Sequence, residues 1–343
     1  MKKENIIFIY PKLFTFIKTE FFLLSNHFNI YHINQNWSNK FLLPINLVIQ
    51  FIYVLTKISN SKYILISFGG YWSFIPSILG KLFNKKVAIV VHGTDCVDFS
   101  EINYGNLRKP LMKWFTKVSY KFADIILPVS ESLVYTENTY YCEKVLKFGY
   151  SYHLNKIETP YKVIHNGLII DDWNVTKVNK EIKTFVTVMT DDQIQRKGAE
   201  IIIRAARELH DCKFYFAGTN TIDNAPSNVY FLGKLSPLEL KEIYKNTQFY
   251  LQLSNFEGFG VAICEAMLCY CIPIVSNVNF LPSIVDDTGF IVQHRDHLEL
   301  INLIKSNYDK NLDNLSIKAR NRIINNFSIN NRRDNLIETL NSL

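Results

Sequence analysis

A chain of 343 residues, 48% apolar and 20% charged, is too long for one ordinary core and too hydrophobic to stay disordered, so two domains are expected. The formal charge of +7 is carried by one half: residues 1–166 hold 19 Lys+Arg against 10 Asp+Glu, or +9, and the remainder holds 19 against 21, or −2. Cys96, Cys142, Cys212, Cys264, Cys269 and Cys271 form no Cys-x-x-Cys pair and have no histidine partners at zinc spacing, which points to reduced thiols in a cytosolic protein.

The opening MKKENIIFIYPKLF has a basic tip, but Glu4 and Pro11-Lys12 interrupt the apolar run too early for a signal peptide. The first expected strand is NIIFIY, the second FNIYHI. The uncharged, strongly apolar stretch Phe41 to Thr56 is shorter than the ~20 residues that span a bilayer and contains Pro44, Asn46 and Gln50; a buried helix is expected there. Strands KYILISF, KVAIVV, DIILPV and YKVIH follow. Between KVAIVV and DIILPV, Lys109, Lys113, Lys117 and Lys121 recur every fourth residue and line one helix face. That stripe reads either as a solvated face or as attraction to an anionic membrane surface or anionic acceptor. Nucleic acid is not expected as a partner, since no helix-turn-helix, zinc-finger or aromatic RNP pattern occurs. The expected location is cytoplasmic, with peripheral contact at the inner face of the cytoplasmic membrane through the basic half.

Residues Asn166 to Lys183 replace apolar runs with Gly, paired Asp and charge, and so read as the connection. A second series then runs TFVTVM, KFYFAG, NVYFLG, FYLQLS, CIPIVS and GFIVQ. Continuous apolar strands separated by amphipathic helices argue for parallel sheets covered on both faces. The expected fold is thus α/β, with two doubly wound Rossmann-like domains, 1–166 and 167–343, facing a central cleft, and with the last helix, 328–343, packing on the first domain. Ligands of such sheets bind beyond the carboxyl ends of the strands. HGTD, SFGGYW, RKG and SNFEGFGVAICEAM all fall there.

In the last of these, Gly258, Phe259 and Gly260 lead into the helical run VAICEAML, whose first amides favour an anion such as phosphate. Glu265 lies too deep in the helix to cap it and suits vicinal hydroxyls, as acidic groups do for ribose in dinucleotide sites. Glu257, ahead of the turn, suits charge stabilisation or polar contact with a sugar. Gly69 and Gly70 offer either close backbone approach or a tight turn.

The order HGTD, ADIILPVSES, VIHNG, RKG, FLGKLS, SNFEGFGVAICEAM, CIPIVSN and NNFS resembles a retaining glycosyltransferase of family 4 with the GT-B fold (glycosyl transferases group 1). The resemblance implies a nucleotide-sugar donor bound mainly by the second domain, a glycan or lipid-linked acceptor bound by the first, and neither metal nor cofactor; no Asp-x-Asp occurs in the chain. By position it assigns Glu265 to the donor ribose, and Glu257 and His92 to the transferred sugar. It assigns Lys197 to the diphosphate, and the amides of Phe259 and Gly260 to the diphosphate or the sugar. Lys234 and Leu235 would lie near the base, and Asp95, Gly69 and Gly70 would bind acceptor or orient the loop. Three departures bear on these assignments. Asp191-Asp192 stand where relatives carry Gly-Arg, leaving Arg196 as the candidate second cation. Asn279-Phe280 and Pro282-Ser283 replace Gly-Gly and Pro-Glu, and Tyr10-Pro11-Lys12 replaces a glycine-rich loop. The implied activity is metal-independent sugar transfer with retention, in surface polysaccharide or lipopolysaccharide biosynthesis. A GT-B sugar-phosphate synthase or phosphorylase and a noncatalytic nucleotide-sugar-binding subunit stay open beside it.

Overall fold

The computed structural model describes residues 3–343, apart from the side chain of Lys40. The chain divides into two compact units: residues 1–136, 147–165 and 332–343 form the first, and 137–146 with 166–331 form the second.

Unit 1 is built on strands β1 (Glu4–Ile9), β2 (Phe28–His32), β3 (Tyr63–Ser67), β4 (Lys86–Val91) and β5 (Ile125–Pro128), all parallel in the order β2-β1-β3-β4-β5. Ile6 to Phe8, Tyr63 to Ile66 and Val87 to Ile89 have no exposed surface, as expected for strands covered on both faces. The helices are α1 (Thr15–Ser25), α2 (Leu43–Ile58), α3 (Tyr71–Leu82), α4 (Pro110–Phe122) and the short α5 (Tyr150–Leu154). The three crossovers β2→β3, β3→β4 and β4→β5 run in one direction, so their right-handedness lays α2, α3 and α4 side by side on one face. Helix α3 packs against both of its neighbours.

Three expectations for this half are corrected. The Phe41–Thr56 stretch does form a helix, but not a buried one: Phe41, Ile45, Val48, Ile49 and Ile52 are exposed while Asn46 and Gln50 turn inward. Gln50 Nε2 donates there to the Trp72 carbonyl at 3.0 Å, and Asn46 Nδ2 to the Asn36 carbonyl at 2.8 Å. Second, YKVIH is no strand. Tyr161 makes a single bridge to Ile126, and farther along the Ile164 and His165 carbonyls accept from the Arg332 guanidinium at 3.0 and 3.1 Å instead of from a neighbouring strand. Third, a short two-stranded sheet, β6 (Thr136–Asn138) with β7 (Leu146–Phe148), has no counterpart among the expected strands.

Unit 2 carries β8 (Glu181–Val188), β9 (Lys213–Ala217), β10 (Val229–Gly233), β11 (Thr247–Gln252), β12 (Ile272–Ser276) and β13 (Phe290–Val292) in the order β10-β9-β8-β11-β12-β13, again all parallel. Stacked rings tie the sheet centre together: Phe185 lies 4.9 Å from Phe214 and 5.1 Å from Phe249. Its helices are α6 (Ala199–Glu208), α7 (Pro237–Asn246), α8 (Val261–Leu268), α9 (Leu281–Val285), α10 (His297–Lys305) and α11 (Asp313–Asn326). Helix α7 starts where the sequence signals it. Ser236 accepts from the Glu239 amide at 3.3 Å, Glu239 accepts from the Ser236 amide at 2.7 Å, and Pro237 takes the first helical position.

The last helix, α12 (Ile329–Ser342), groups with unit 1 from Arg332 onward. Arg332 forms a buried ion pair with Glu20 of α1 at 2.7 Å.

Candidate active site

In a parallel sheet of order 3-2-1-4-5-6 the strand order reverses between the first and fourth strands, and loops leaving those two strands diverge to open a crevice. In unit 2 these are β8 and β11. The loop after β8 carries Arg196 and Lys197; the loop after β11 carries Glu257, followed by α8 with Glu265.

Backbone contacts stitch the two loops together. The Asn255 amide donates to the Arg196 carbonyl at 2.7 Å, and Asn255 Nδ2 donates to the Gln195 carbonyl at 2.8 Å. Gly198 sits in the left-handed region at φ +69°, and a Cβ there would lie 2.0 Å from the Leu253 carbonyl oxygen. Only glycine allows that approach. It starts α6 hard against the end of β11.

Glu257 Oε2 accepts from Gln252 Nε2 at 2.7 Å and from Arg196 Nη1 at 3.2 Å, while the Glu257 amide donates to Asn279 Oδ1 at 3.0 Å. Burial pushes the Glu257 carboxyl up, but the charges of Arg196 and Lys197 and the hydrogen bonds from Arg196 and Gln252 outweigh it and hold the group below the usual carboxylate range. Arg196 therefore reaches the cluster and also donates to the Phe256 carbonyl at 3.1 Å. Lys197 Nζ donates to the Val188 carbonyl at 3.0 Å. Its pKa is lowered chiefly by burial, against the pull of Glu257 and Glu265. Among the described residues no hydrogen bond or ion pair engages the Glu265 carboxyl. Burial raises its pKa to about 8, with Lys197 pulling the other way. The arrangement gathers two cations beside one carboxylate held ionised, with a second carboxyl left unengaged.

Gly258, Phe259 and Gly260 are buried at the head of α8, where the Phe259 ring stacks on Phe280 at 5.7 Å and meets Phe327 edge-on at 5.5 Å. Asn279 occupies a left-handed backbone position at φ +49°, which asparagine tolerates better than most residues. Asn279-Phe280 thus keeps a glycine-like turn while adding an acceptor for Glu257 and a ring against Phe259. Asp191 and Asp192 are exposed, and Asp191 accepts from Asn220. Lys234 is exposed and Leu235 half-buried beyond β10, the edge strand, two strands away from β8; the structure does not bring them to the Glu257 cluster.

In unit 1 the loops after β3 and β4 meet at Asp95. Its fully buried carboxylate accepts from the amides of Gly69 at 2.9 Å, Gly93 at 3.0 Å and His92 at 3.1 Å, and from the Tyr120 hydroxyl at 3.1 Å. Burial still leaves its pKa raised, with those backbone bonds opposing the rise. These bonds tie the Asp95 carboxylate to the backbone of its own two loops. Gly69 is a packing glycine: a Cβ would stand 2.5 Å from Thr116 Cγ2 and 2.7 Å from the Tyr120 ring. Gly70 is buried as well, with the Trp72 ring over it. His92 pairs through Nε2 with Ser67 Oγ at 2.8 Å between the rings of Phe16 and Phe68. Burial first, and the Arg332 charge second, hold its pKa well below the ordinary value, so the imidazole is neutral.

Gln252, Ser67 and Arg332 belong to these clusters and escape the sequence reading. A signal for Gln252 was available, as a lone amide inside the apolar run FYLQLS, two positions before the motif.

Two parallel sheets, one in the 2-1-3-4-5 order and one in the 3-2-1-4-5-6 order, with the charged cluster at the switch point of the second, define a GT-B protein. The same fold is seen in Anabaena HepE, solved in complex with UDP: the TM-score is 0.71 at 14% identity over 99% of this chain and 100% of that one. Residues 171–327, which lie within unit 2, match the family described as glycosyl transferases group 1. Two curated proteins are similar. An uncharacterized 41.2 kDa protein in the cps region of Klebsiella pneumoniae is 25% identical over 247 residues, covering 66% of this chain and 63% of its own length. The O-antigen chain mannosyltransferase B of Escherichia coli is 35% identical over 66 residues, covering 19% of this chain and 17% of its own length. The matched region thus spans less than two thirds of either relative.

Proposed function

We propose that the protein transfers a sugar from a nucleoside diphosphate sugar to a hydroxyl of a glycan or lipid-linked acceptor, with retained anomeric configuration and without a metal or cofactor. The observation that carries this reading is the convergence of Arg196, Lys197, Glu257 and Glu265 at the switch point of unit 2. Departure of a nucleoside diphosphate builds negative charge on the leaving phosphate. Lys197, Arg196 and the first amides of α8 oppose that charge without a cation from solution.

Glu265, unengaged by the protein, accepts from the vicinal hydroxyls of the ribose. Glu257, held ionised, stabilises positive charge as the transferred sugar becomes oxocarbenium-like. The leaving phosphate itself takes the acceptor proton on the face it departs from, so no dedicated base is required. His92, neutral and fixed by Ser67, serves the transferred sugar by hydrogen bonding, not by charge; Asp95 with Gly69 and Gly70 positions its loop. Lys234 and Leu235 remain assigned to the base on the resemblance. The UDP bound in the Anabaena complex and the mannosyltransferase name of the Escherichia coli relative support a nucleotide-sugar donor and a role in surface polysaccharide or lipopolysaccharide assembly.

The test is thermal stabilisation by UDP, GDP, ADP, dTDP and CMP, first in chelator and then with magnesium. One nucleoside diphosphate at about 100 times its Kd should add ~2.7 kcal/mol of stability without metal, and Glu265→Ala should abolish the shift. No shift with any nucleotide, or a shift only with magnesium, would overturn this reading.

A further inference from the structure

Helix α2 is built inside out. An ordinary surface helix buries its apolar stripe and shows polar side chains to water. Here Asn46 and Gln50 point inward ahead of Val54 and Ile58, and the outward stripe is Ile45, Val48, Ile49 and Ile52. Ile45 is 55% exposed, Val48 59% and Ile52 56%, in the i, i+3, i+4, i+7 spacing that makes one continuous ridge. Neighbouring helices extend it. Leu82 and Phe83 at the end of α3 are exposed, as are Leu111 and Trp114 on α4, with the Trp114 ring 5.5 Å from Phe74 of α3.

Charge on the same layer has one sign. Over α2, α3 and α4 the sequence holds no Asp or Glu, but it holds Lys57, Lys81, Lys113, Lys117 and Lys121. None of these five ammonium groups meets a carboxylate within ion-pair distance among the described residues. Elsewhere in unit 1, Lys62 is paired with Glu4 and Lys162 with Glu338. An exposed apolar ridge beside unpaired lysines, with acid excluded, is complementary to a surface that offers both hydrocarbon and negative charge.

We propose that the α2–α3–α4 face of unit 1 docks on an anionic lipid bilayer, in the plane of the interface. The isoleucines of α2 and Trp114 enter the headgroup–acyl boundary, and the lysines reach lipid phosphates with their stems lying along the apolar surface. No helix among the described residues is long and apolar enough to cross a membrane, so the contact is peripheral. This deepens the reading of the acceptor as lipid-linked, and it names the face that brings the protein to such an acceptor.

The test is co-sedimentation of the full chain with vesicles of phosphatidylcholine alone and of phosphatidylcholine with phosphatidylglycerol. Binding to the anionic vesicles is expected to exceed binding to the neutral ones by about tenfold and to fall with added salt. Ile45→Glu/Ile49→Glu/Ile52→Glu should cut partitioning at least about tenfold, and Lys113→Ala/Lys117→Ala/Lys121→Ala should weaken anionic binding alone. Both variants alter exposed or half-exposed side chains, and their melting temperature and nucleotide-induced shift should match those of the unaltered chain. That readout separates failure of this proposal from failure of the donor reading. Equal binding to neutral and anionic vesicles, no binding, or an unchanged partition coefficient in the isoleucine variant would overturn it. So would concentration-dependent self-association lost in that variant, which would assign the face to a second copy of the chain.

Discussion

The loops at the strand ends of the two units use opposite chemistry on the same kind of sheet. In unit 2 they concentrate charge: Arg196 and Lys197 stand beside Glu257 and Glu265, and burial together with the neighbouring charges shifts Lys197, Glu257 and Glu265. In unit 1 the corresponding loops suppress charge. His92 is neutral between aromatic rings, and the Asp95 carboxylate is consumed by four donors from its own fold. Its lysines sit instead on the outer helices. Topology alone therefore does not make a reactive crevice; the same strand ends hold a neutral scaffold in one unit and a cluster of charged groups in the other.

If this contrast is right, changes in unit 1 act on stability and changes in unit 2 act on ligand and turnover. The largest effect is expected from Arg332→Met, which strands the buried Glu20 carboxylate and frees two carbonyls. Unfolding followed by urea should show a loss of about 3–5 kcal/mol, and Glu20→Gln in the same chain should return part of it. Lys197→Ala comes next. Once a donor is known, it should lower kcat by about a hundredfold to a thousandfold while the melting temperature barely moves; a large stability loss with normal turnover of the remaining folded protein would reverse the contrast. Gly69→Ala should cost about 1–3 kcal/mol, since its Cβ has no room beside Thr116 and Tyr120.

The last expected effect is a pH dependence. Glu265 has its folded-state pKa raised from 4.5 to about 8, so the folded state binds the proton more tightly than the unfolded chain. Its contribution to stability is fully present below pH ~4.5, declines as pH rises toward about 8, and is absent above that. Nucleotide binding through the ionised carboxylate runs the other way and should strengthen about tenfold between pH 7 and 9, as read by calorimetry. Glu265→Gln should flatten both profiles.

Much of this was legible in the sequence for a simple reason: a strand buried on both faces is written as an unbroken apolar run, and the motifs follow those runs. Eleven of the twelve expected strands coincide with strands of the structure. The failures have physical causes. YKVIH has a strand's composition and its Lys162 and Ile164 amides donate to the Ile126 and Pro128 carbonyls of β5, but Pro128 has no amide to return, and the Ile164 and His165 carbonyls go to Arg332, 167 positions or more away in sequence. The Phe41–Thr56 helix was expected to be buried because it is apolar, and apolarity does not say which way a helix faces; the inward pair Asn46 and Gln50, four apart, was the available clue. Spacing placed Lys197 and Glu257 correctly on neighbouring loops. It could not show that Arg196 turns toward Glu257 instead of away, nor that Asp95 is spent on its own backbone.

The pairing of Arg332 with Glu20 also bears on how the chain is made. Nearly all of unit 1 leaves the ribosome before residue 166, yet its last helix follows the whole of unit 2. Until then Glu20 has no cation and the 164–165 carbonyls have no donor, so the nascent first unit waits incompletely closed while the second is synthesised and folds. Arrival of Arg332 is thus a late checkpoint: the first unit, including the surroundings of His92, is finished only after the second has been made.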